Sequence, residues 1–221
     1  MCKKNKNHPA KYTDCLLTHM NKLLGDSRKV LDPFAGTGKI FNILEFSNRD
    51  ITAVEIEPEW AANDKRIIIG DALNLQFKDS YFDAICTSPT YGNRMADSFI
   101  ATDHRKRHTY HHALGRKPSV GSSATIQWGN EYREFHLKAW KECQRVLKSG
   151  GIFVLNIKDH IRNKKRQQVT KWHIKAMLSL GFKLKKHIKV KTRSNRFGAN
   201  GKARVGYESL IKFVNLKWEK R

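Results

Sequence analysis

A chain of 221 residues, 39% of them hydrophobic, with no apolar run near the length of a membrane span and no apolar segment behind its charged N-terminus, is expected to be one domain with a sizeable core, without a membrane span or signal peptide. Its four cysteines (Cys2, Cys15, Cys86, Cys143) lie far apart with no Cys-x-x-Cys pair, which argues against a disulfide framework or zinc site and fits a reducing cytoplasm. The formal net charge of +23 is uneven, because residues 138–221 hold 24 Lys and Arg against 4 acids and residues 1–137 hold 19 against 16; one strongly basic face and a polyanion partner are expected.

Residues 1–28 begin polar and basic and then become helical. Leu16, Leu17, Met20, Leu23 and Leu24 recur at helical spacing, and Gly25 supplies the stop. Lys29 to Asp32 is the first strand. It feeds Asp32-Pro33-Phe34-Ala35-Gly36-Thr37-Gly38 and then a helix from about Gly38 to Phe46. A strand, a glycine-rich turn and a helix are where a doubly wound α/β fold binds a nucleotide-like cofactor. A Walker A loop fails twice here, at Pro33 and Ile40, and a dinucleotide fingerprint fails at Phe41.

What remains resembles motif I, Asp-Pro-Phe-x-Gly-x-Gly, of the S-adenosylmethionine-dependent DNA amino-methyltransferases. His8-Pro9-Ala10-Lys11-Tyr12 is similar to the His-Pro-x-x-x segment, motif X, that precedes motif I in that family. The resemblance implies a Rossmann-like class I methyltransferase fold: α/β, one mostly parallel seven-stranded sheet with helices on both faces. It also implies that S-adenosyl-L-methionine is held by Asp32, Pro33, Phe34, Ala35, Gly36 and Gly38, with His8 and Lys11 contributing.

Ile51 to Ile56 is a second strand. Glu55, near its end, is the acid expected for ribose hydroxyls, and Glu57 is the alternative. Glu55 is favoured because it lies nearest the end of the apolar run and matches the family's motif II acid. Pro58 opens a short helix. Ile67 to Ile69 is the third strand and ends in Gly70-Asp71-Ala72. The resemblance makes Asp71, beside Ala72, an acceptor for the adenine amine; a plain turn acid is the other reading.

Phe82 to Cys86 is the fourth strand. Residues 94–130 form a long polar stretch, taken as an inserted target-recognition region of the domain. A helix follows over 131–147, then glycines and an apolar strand over Ile152 to Ile157. Residues 168–180 form another amphipathic helix. Ile188 and Val190 alternate with lysines in a half-exposed strand, and 206–213 is the last strand. Residues 193–204 would be the positive hairpin between these two.

Ser88-Pro89-Thr90-Tyr91, at the carboxyl end of the fourth strand, resembles motif IV, (Asp/Asn/Ser)-Pro-Pro-(Tyr/Phe/Trp). An exocyclic amine is a poor nucleophile because its lone pair is delocalised into the ring. By the family pattern Ser88 and the Pro89 carbonyl take its hydrogens, and Tyr91 stacks on a base flipped out of the duplex. Thr90 stands where the pattern has a second Pro. Ser at the first position leans toward N4-cytosine over N6-adenine.

The order of motifs matches the gamma-type arrangement, and the best match is to small methylases of the kind carried by phages and bacteria. Double-stranded DNA is the expected partner, with recognition assigned to 94–130 and 193–204. An RNA amino-methyltransferase and a catalytically weak nucleic-acid-binding protein are the rival readings. The histidines at 104, 108, 111 and 112 lack the cysteine or carboxylate partners of a metal site, so no metal is expected. Tyr110 or Trp128 could fill the gap left by a flipped base. His160 and Arg162 are further candidates for the active-site crevice.

Overall fold

The computed structural model describes residues 14–45, 47–97, 109–192 and 203–216. Helix α1 (Asp14–Leu24) buries the expected Leu16, Leu17, Met20, Leu23 and Leu24. Strand β1 (Lys29–Asp32) follows. The helix expected over 38–46 is a 3-10 helix, Lys39–Glu45. The turn before it already bonds i to i+3, with Gly38 N–H donating to the Ala35 carbonyl and Phe41 N–H to that of Gly38, and this tighter winding carries on.

Next come β2 (Asp50–Glu55), α2 (Pro58–Ala61), β3 (Ile67–Ile69) and β4 (Phe82–Thr87). Helix α3 (Tyr110–Leu114) leads to α4 (Asn130–Val146) and β5 (Leu147–Ile157). A hairpin of β6 (His160–Arg162) and β7 (Lys165–Gln167) precedes α5 (Val169–Ser179), β8 (Phe182–Lys191) and β9 (Tyr207–Asn215).

Strand β5 starts five residues before the expected Ile152. Its pairing with β4 jumps from Phe82–Leu147 to Ala84–Ile152, so the glycines lie in a bulge inside the strand. At Gly151 a Cβ would fall 2.7 Å from a Leu147 methyl and 2.8 Å from the Lys148 carbonyl oxygen, so only glycine fits.

Seven strands form one sheet in the order β3-β2-β1-β4-β5-β9-β8. β1 to β5 run parallel and β9 is antiparallel to both its neighbours. Successive residues of a strand serve opposite faces. Val30, Ala84, Val154 and Leu210 pack with α1, whereas Leu31, Ile85, Phe153 and Ile211 pack with α4 and α5. Both faces are covered, which is why these strands are nearly continuous apolar runs. β1 and β4 are neighbours whose following segments depart separately, and the crevice at such a switch point is where α/β sheets bind ligands.

Candidate active site

A cavity of about 270 Å³ opens at the carboxyl ends of β1, β2 and β4. Its wall includes Pro33, Phe34, Ala35 and Gly36 from the first turn, Glu55, Asp71 and Ala72, and the whole of Ser88-Pro89-Thr90-Tyr91. The sequence motifs, up to 58 positions apart, thus converge on one space.

Two of the candidate residues do not line it. Asp32 is fully buried, and its Oδ1 accepts from the Phe34 N–H at 3.1 Å and the Thr87 hydroxyl at 2.6 Å, fixing the turn to the end of β4. Gly38 lies against Phe41 and Ile67. His8 and Lys11 lie outside the described residues, as do the histidines at 104 and 108 and positions 193–202 of the basic hairpin.

The two acids after β2 separate cleanly. Glu55 faces the cavity and accepts two backbone N–H bonds, from Gly36 at 2.8 Å and Glu57 at 2.9 Å. Burial pushes its carboxyl up to about 7 against the pull of those donors. Glu57 is also buried but turns away. It accepts from Arg116 Nη2 at 2.9 Å, the Ser119 N–H at 2.8 Å and the Ser119 hydroxyl at 2.9 Å. That latch holds the segment after α3, whose residues 121–124 form part of the cavity wall. Asp71 both lines the cavity and closes its own turn, its Oδ1 accepting from the Leu73 N–H at 2.8 Å.

The Ser88 hydroxyl belongs to a four-residue network. Tyr91 Oη lies 2.9 Å from Ser88 Oγ and 3.2 Å from Glu208 Oε2. Asn156 Nδ2 lies 2.8 Å from that Glu208 oxygen, 3.2 Å from Ser88 Oγ and 3.1 Å from Tyr91 Oη. Burial, reinforced by the Glu208 charge, keeps the Tyr91 phenol far above its ordinary value and so protonated. A carboxylate only accepts, so the phenol donates to Glu208 and the Ser88 hydroxyl donates to Tyr91. This ordering leaves the Ser88 oxygen an acceptor.

Thr90 is held from both ends. Its carbonyl accepts from Tyr132 Oη at 2.7 Å, and its hydroxyl bonds Ser123 Oγ at 3.0 Å. Gly92 has φ +61°, and a Cβ there would fall 2.8 Å from the Trp128 nitrogen, whose N–H donates to the Gly92 carbonyl at 2.8 Å. Only glycine lets the segment at Trp128, just before α4, lie against the turn after Tyr91.

Several expected positions stand elsewhere. Tyr110 is buried edge-on to Trp60 and lines the cavity. Trp128 packs on Tyr132 and Trp172, with Arg133 over its ring. His160 and Arg162 lie outside the cavity wall; Arg162 donates to Gln127 Oε1 at 2.9 Å. Among the described residues, no group of three or more His, Cys, Asp and Glu is placed to hold a metal ion. Within 109–130, the polar stretch forms α3 and a 3-10 turn, Ser123–Thr125, against the cavity.

Asn156 and Glu208 line the cavity without any sequence motif marking them. One signal could have found Glu208: it is one of only 4 acids in a stretch with 24 basic residues, and it sits on an apolar strand.

A family described as DNA methylase matches residues 82–220. No curated protein matches the chain. Among solved structures the chain is similar to the PH0226 protein of Pyrococcus horikoshii, at 17% identity over 90% of this chain and 87% of that one, with a TM-score of 0.57. It is similar to a SAM-dependent methyltransferase of Methanosarcina mazei, at 12% identity over 94% and 99%, with a TM-score of 0.60. It is also similar to TrmN of Thermus thermophilus, at 14% identity over 91% and 48%, with a TM-score of 0.56. At these identities the likeness is one of fold, the Rossmann-like methyltransferase sheet.

Proposed function

The chain belongs to the DNA methylase family, whose methyl donor is S-adenosylmethionine, and from that premise we propose that it methylates an exocyclic amine of a base in duplex DNA, N4 of cytosine ahead of N6 of adenine. It acts as one methyltransferase domain with 94–130 as its inserted stretch. The observation that carries the reading is the Ser88 oxygen, turned into an acceptor by Tyr91 and Asn156, in the same cavity as Glu55 and Asp71.

The wall fits the cofactor by its chemistry. Glu55 offers a carboxylate to paired ribose hydroxyls, Asp71 offers one to an amine, and Phe34, Ile56 and Trp60 give apolar surface for a purine. Bound there, the cofactor supplies a methyl group activated on a sulfonium.

The protein's own task is positioning. Ser88 Oγ accepts one hydrogen of the target amine and the Pro89 carbonyl takes the other, which turns the nitrogen lone pair out of the base plane. Tyr91 presents its ring to the base while its hydroxyl stays tied to Glu208. As positive charge grows on the amine nitrogen, the Glu208 carboxylate stabilises it through the Tyr91–Ser88 chain. Thr90 keeps this turn in place through hydrogen bonds rather than through a proline ring.

The direct assay is transfer of a labelled methyl group from S-adenosylmethionine to duplex DNA. Wild type should label the duplex and Ser88→Ala should lose roughly two orders of magnitude in rate, on the scale of one removed catalytic hydrogen-bonding group. Undiminished transfer by Ser88→Ala would overturn the assignment.

A further inference from the structure

The β6–β7 hairpin is unlike the rest of the carboxyl end of the sheet. Asn163 and Lys164 both have positive φ, +50° and +58°, so β6 and β7 are joined by a tight two-residue turn. The tip is exposed and basic: Arg162, Lys164, Lys165 and Arg166. Its base is fixed. Asp159 Oδ2 accepts from Arg166 Nε at 2.9 Å while Oδ1 accepts from the Thr170 N–H of α5 at 2.7 Å. Arg166 also donates to the Tyr207 hydroxyl. Arg162 ties the other strand to Gln127, next to the Trp128 that bonds Gly92. The ribbon is therefore anchored to the rim of the catalytic cavity.

Behind the ribbon a cleft runs between α5 and β8. Lys171 and Lys175, one helical turn apart, line it from α5, and Lys189 lines it from β8. A register shift between Leu184 and Lys186 moves the alternation of β8 by one residue. Ile188 and Val190 consequently pack toward α1, and His187 and Lys189 face α5. Lys189 and Arg166 both stand over the Tyr207 ring, at 5.0 and 5.7 Å. The one acid in the cleft wall, Asp159, is already engaged by Arg166 and Thr170. The local field is positive: the Lys189 charge adds to burial in lowering His187, and that of Arg162 does so for His160. Tyr207 lines this cleft, and Glu208, the next residue on β9, lines the catalytic cavity.

We propose that the β6–β7 ribbon and the α5–β8 cleft form one docking surface for duplex DNA, the ribbon entering a groove and the cleft lysines holding phosphates beside the target base. A two-stranded ribbon fits the major groove of B-form DNA, and phosphate contacts fix register while base edges carry sequence. The proposal rests on the DNA-methylase reading above and adds where the duplex lies.

The test is equilibrium binding of a labelled duplex oligonucleotide to the full chain across a salt series, with cofactor affinity measured on the same samples. Three variants are compared: K171A/K175A/K189A in the cleft, K164A/K165A at the tip, and K183A/K185A/K186A at the far end of β8. The cleft variant should bind roughly tenfold or more weakly and lose about 3 from its salt slope, one for each phosphate contact removed. The tip variant should also bind more weakly, the β8 control should stay within roughly twofold of wild type, and all should bind cofactor normally. Equal losses in cleft and control variants, or no loss in the cleft variant, would overturn the surface while wild-type duplex binding left the methylase reading standing. A wild type that bound structured RNA but not duplex DNA would overturn both.

Discussion

The phenol of Tyr132, on α4, donates a 2.7 Å hydrogen bond to the carbonyl of Thr90, 42 positions earlier in the chain. Behind it the proton order is fixed. Trp140 Nε1 can only donate, and it does so to His173 Nδ1 at 3.1 Å. His173 therefore carries its proton on Nε2, which donates to the Tyr132 oxygen at 3.0 Å and leaves the phenol proton for Thr90. This chain and the Thr90–Ser123 bond supply the rigidity that the family's second proline would give. Tyr132→Phe strands the Thr90 carbonyl and a buried His173 N–H, and should cost about 1–3 kcal/mol of stability. Urea unfolding measures it, and turnover should fall with the loosened Thr90 turn.

The same chain makes stability sensitive to acid. Burial pushes His136 down to about 3 and holds His173 well below its ordinary value. The unfolded chain, with histidines near the ordinary value of about 6.5, then binds more protons than the folded one below that pH. Stability should fall as pH drops through about 6.5, by about 1.4 kcal/mol per pH unit for each histidine. Glu55 acts oppositely between its ordinary value and about 7, but it is one group against these two and the likewise lowered His160 and His187. Urea midpoints from neutral pH downward should decline; a flat profile would contradict the buried neutral pair.

Glu55 also predicts a pH dependence of cofactor binding. Its carboxyl titrates at about 7, and the ionised form is the better acceptor for hydroxyl donors. Affinity for S-adenosylmethionine should rise as pH passes upward through about 7 and level off above it. Calorimetry of wild type against Glu55→Gln checks this, since the amide should bind more weakly and show no such step.

The latch on Glu57 should control the cavity wall. Arg116→Ala removes the guanidinium that bonds both Glu57 and Glu59 and leaves a buried carboxylate with Ser119 alone. The loss should be about 1–3 kcal/mol and local to the segment after α3. Hydrogen exchange should quicken there while the β1 and β4 amides stay protected, and cofactor affinity should drop.

Much of this was legible in the chain. The apolar runs of β1, β2, β4 and β5 are readable because both faces of those strands are buried, and the motifs are readable because each is local. Glu55 could be preferred over Glu57 from its place at the end of an apolar run, and it is Glu55 that lines the cavity. What stayed hidden depends on partners distant in sequence. Thr90 looks like a weakened motif until Tyr132 and Ser123 are seen beside it. Glu208 reaches Tyr91 across 117 positions. The β6–β7 ribbon is too short and polar to announce itself by periodicity, and its turn uses Asn163 and Lys164 rather than glycine. Tyr110 sits in a polar stretch, and its burial against Trp60 has no local signal.

Glu208→Gln isolates the proton order around Ser88. The amide preserves shape but adds a donor, so the Tyr91 phenol need no longer point at it and the Ser88 hydroxyl can turn its proton toward the target amine. Turnover should fall by roughly tenfold or more with little change in KM for DNA, the pattern of an interaction made mainly in the transition state.

The most direct measurement is mass spectrometry of hydrolysed genomic DNA from a methylation-free bacterial host expressing the protein. The account predicts N4-methylcytosine, or failing that N6-methyladenine, in cells with the wild-type chain and far less of it in cells with Ser88→Ala. Soluble wild-type protein with neither base modified would contradict it.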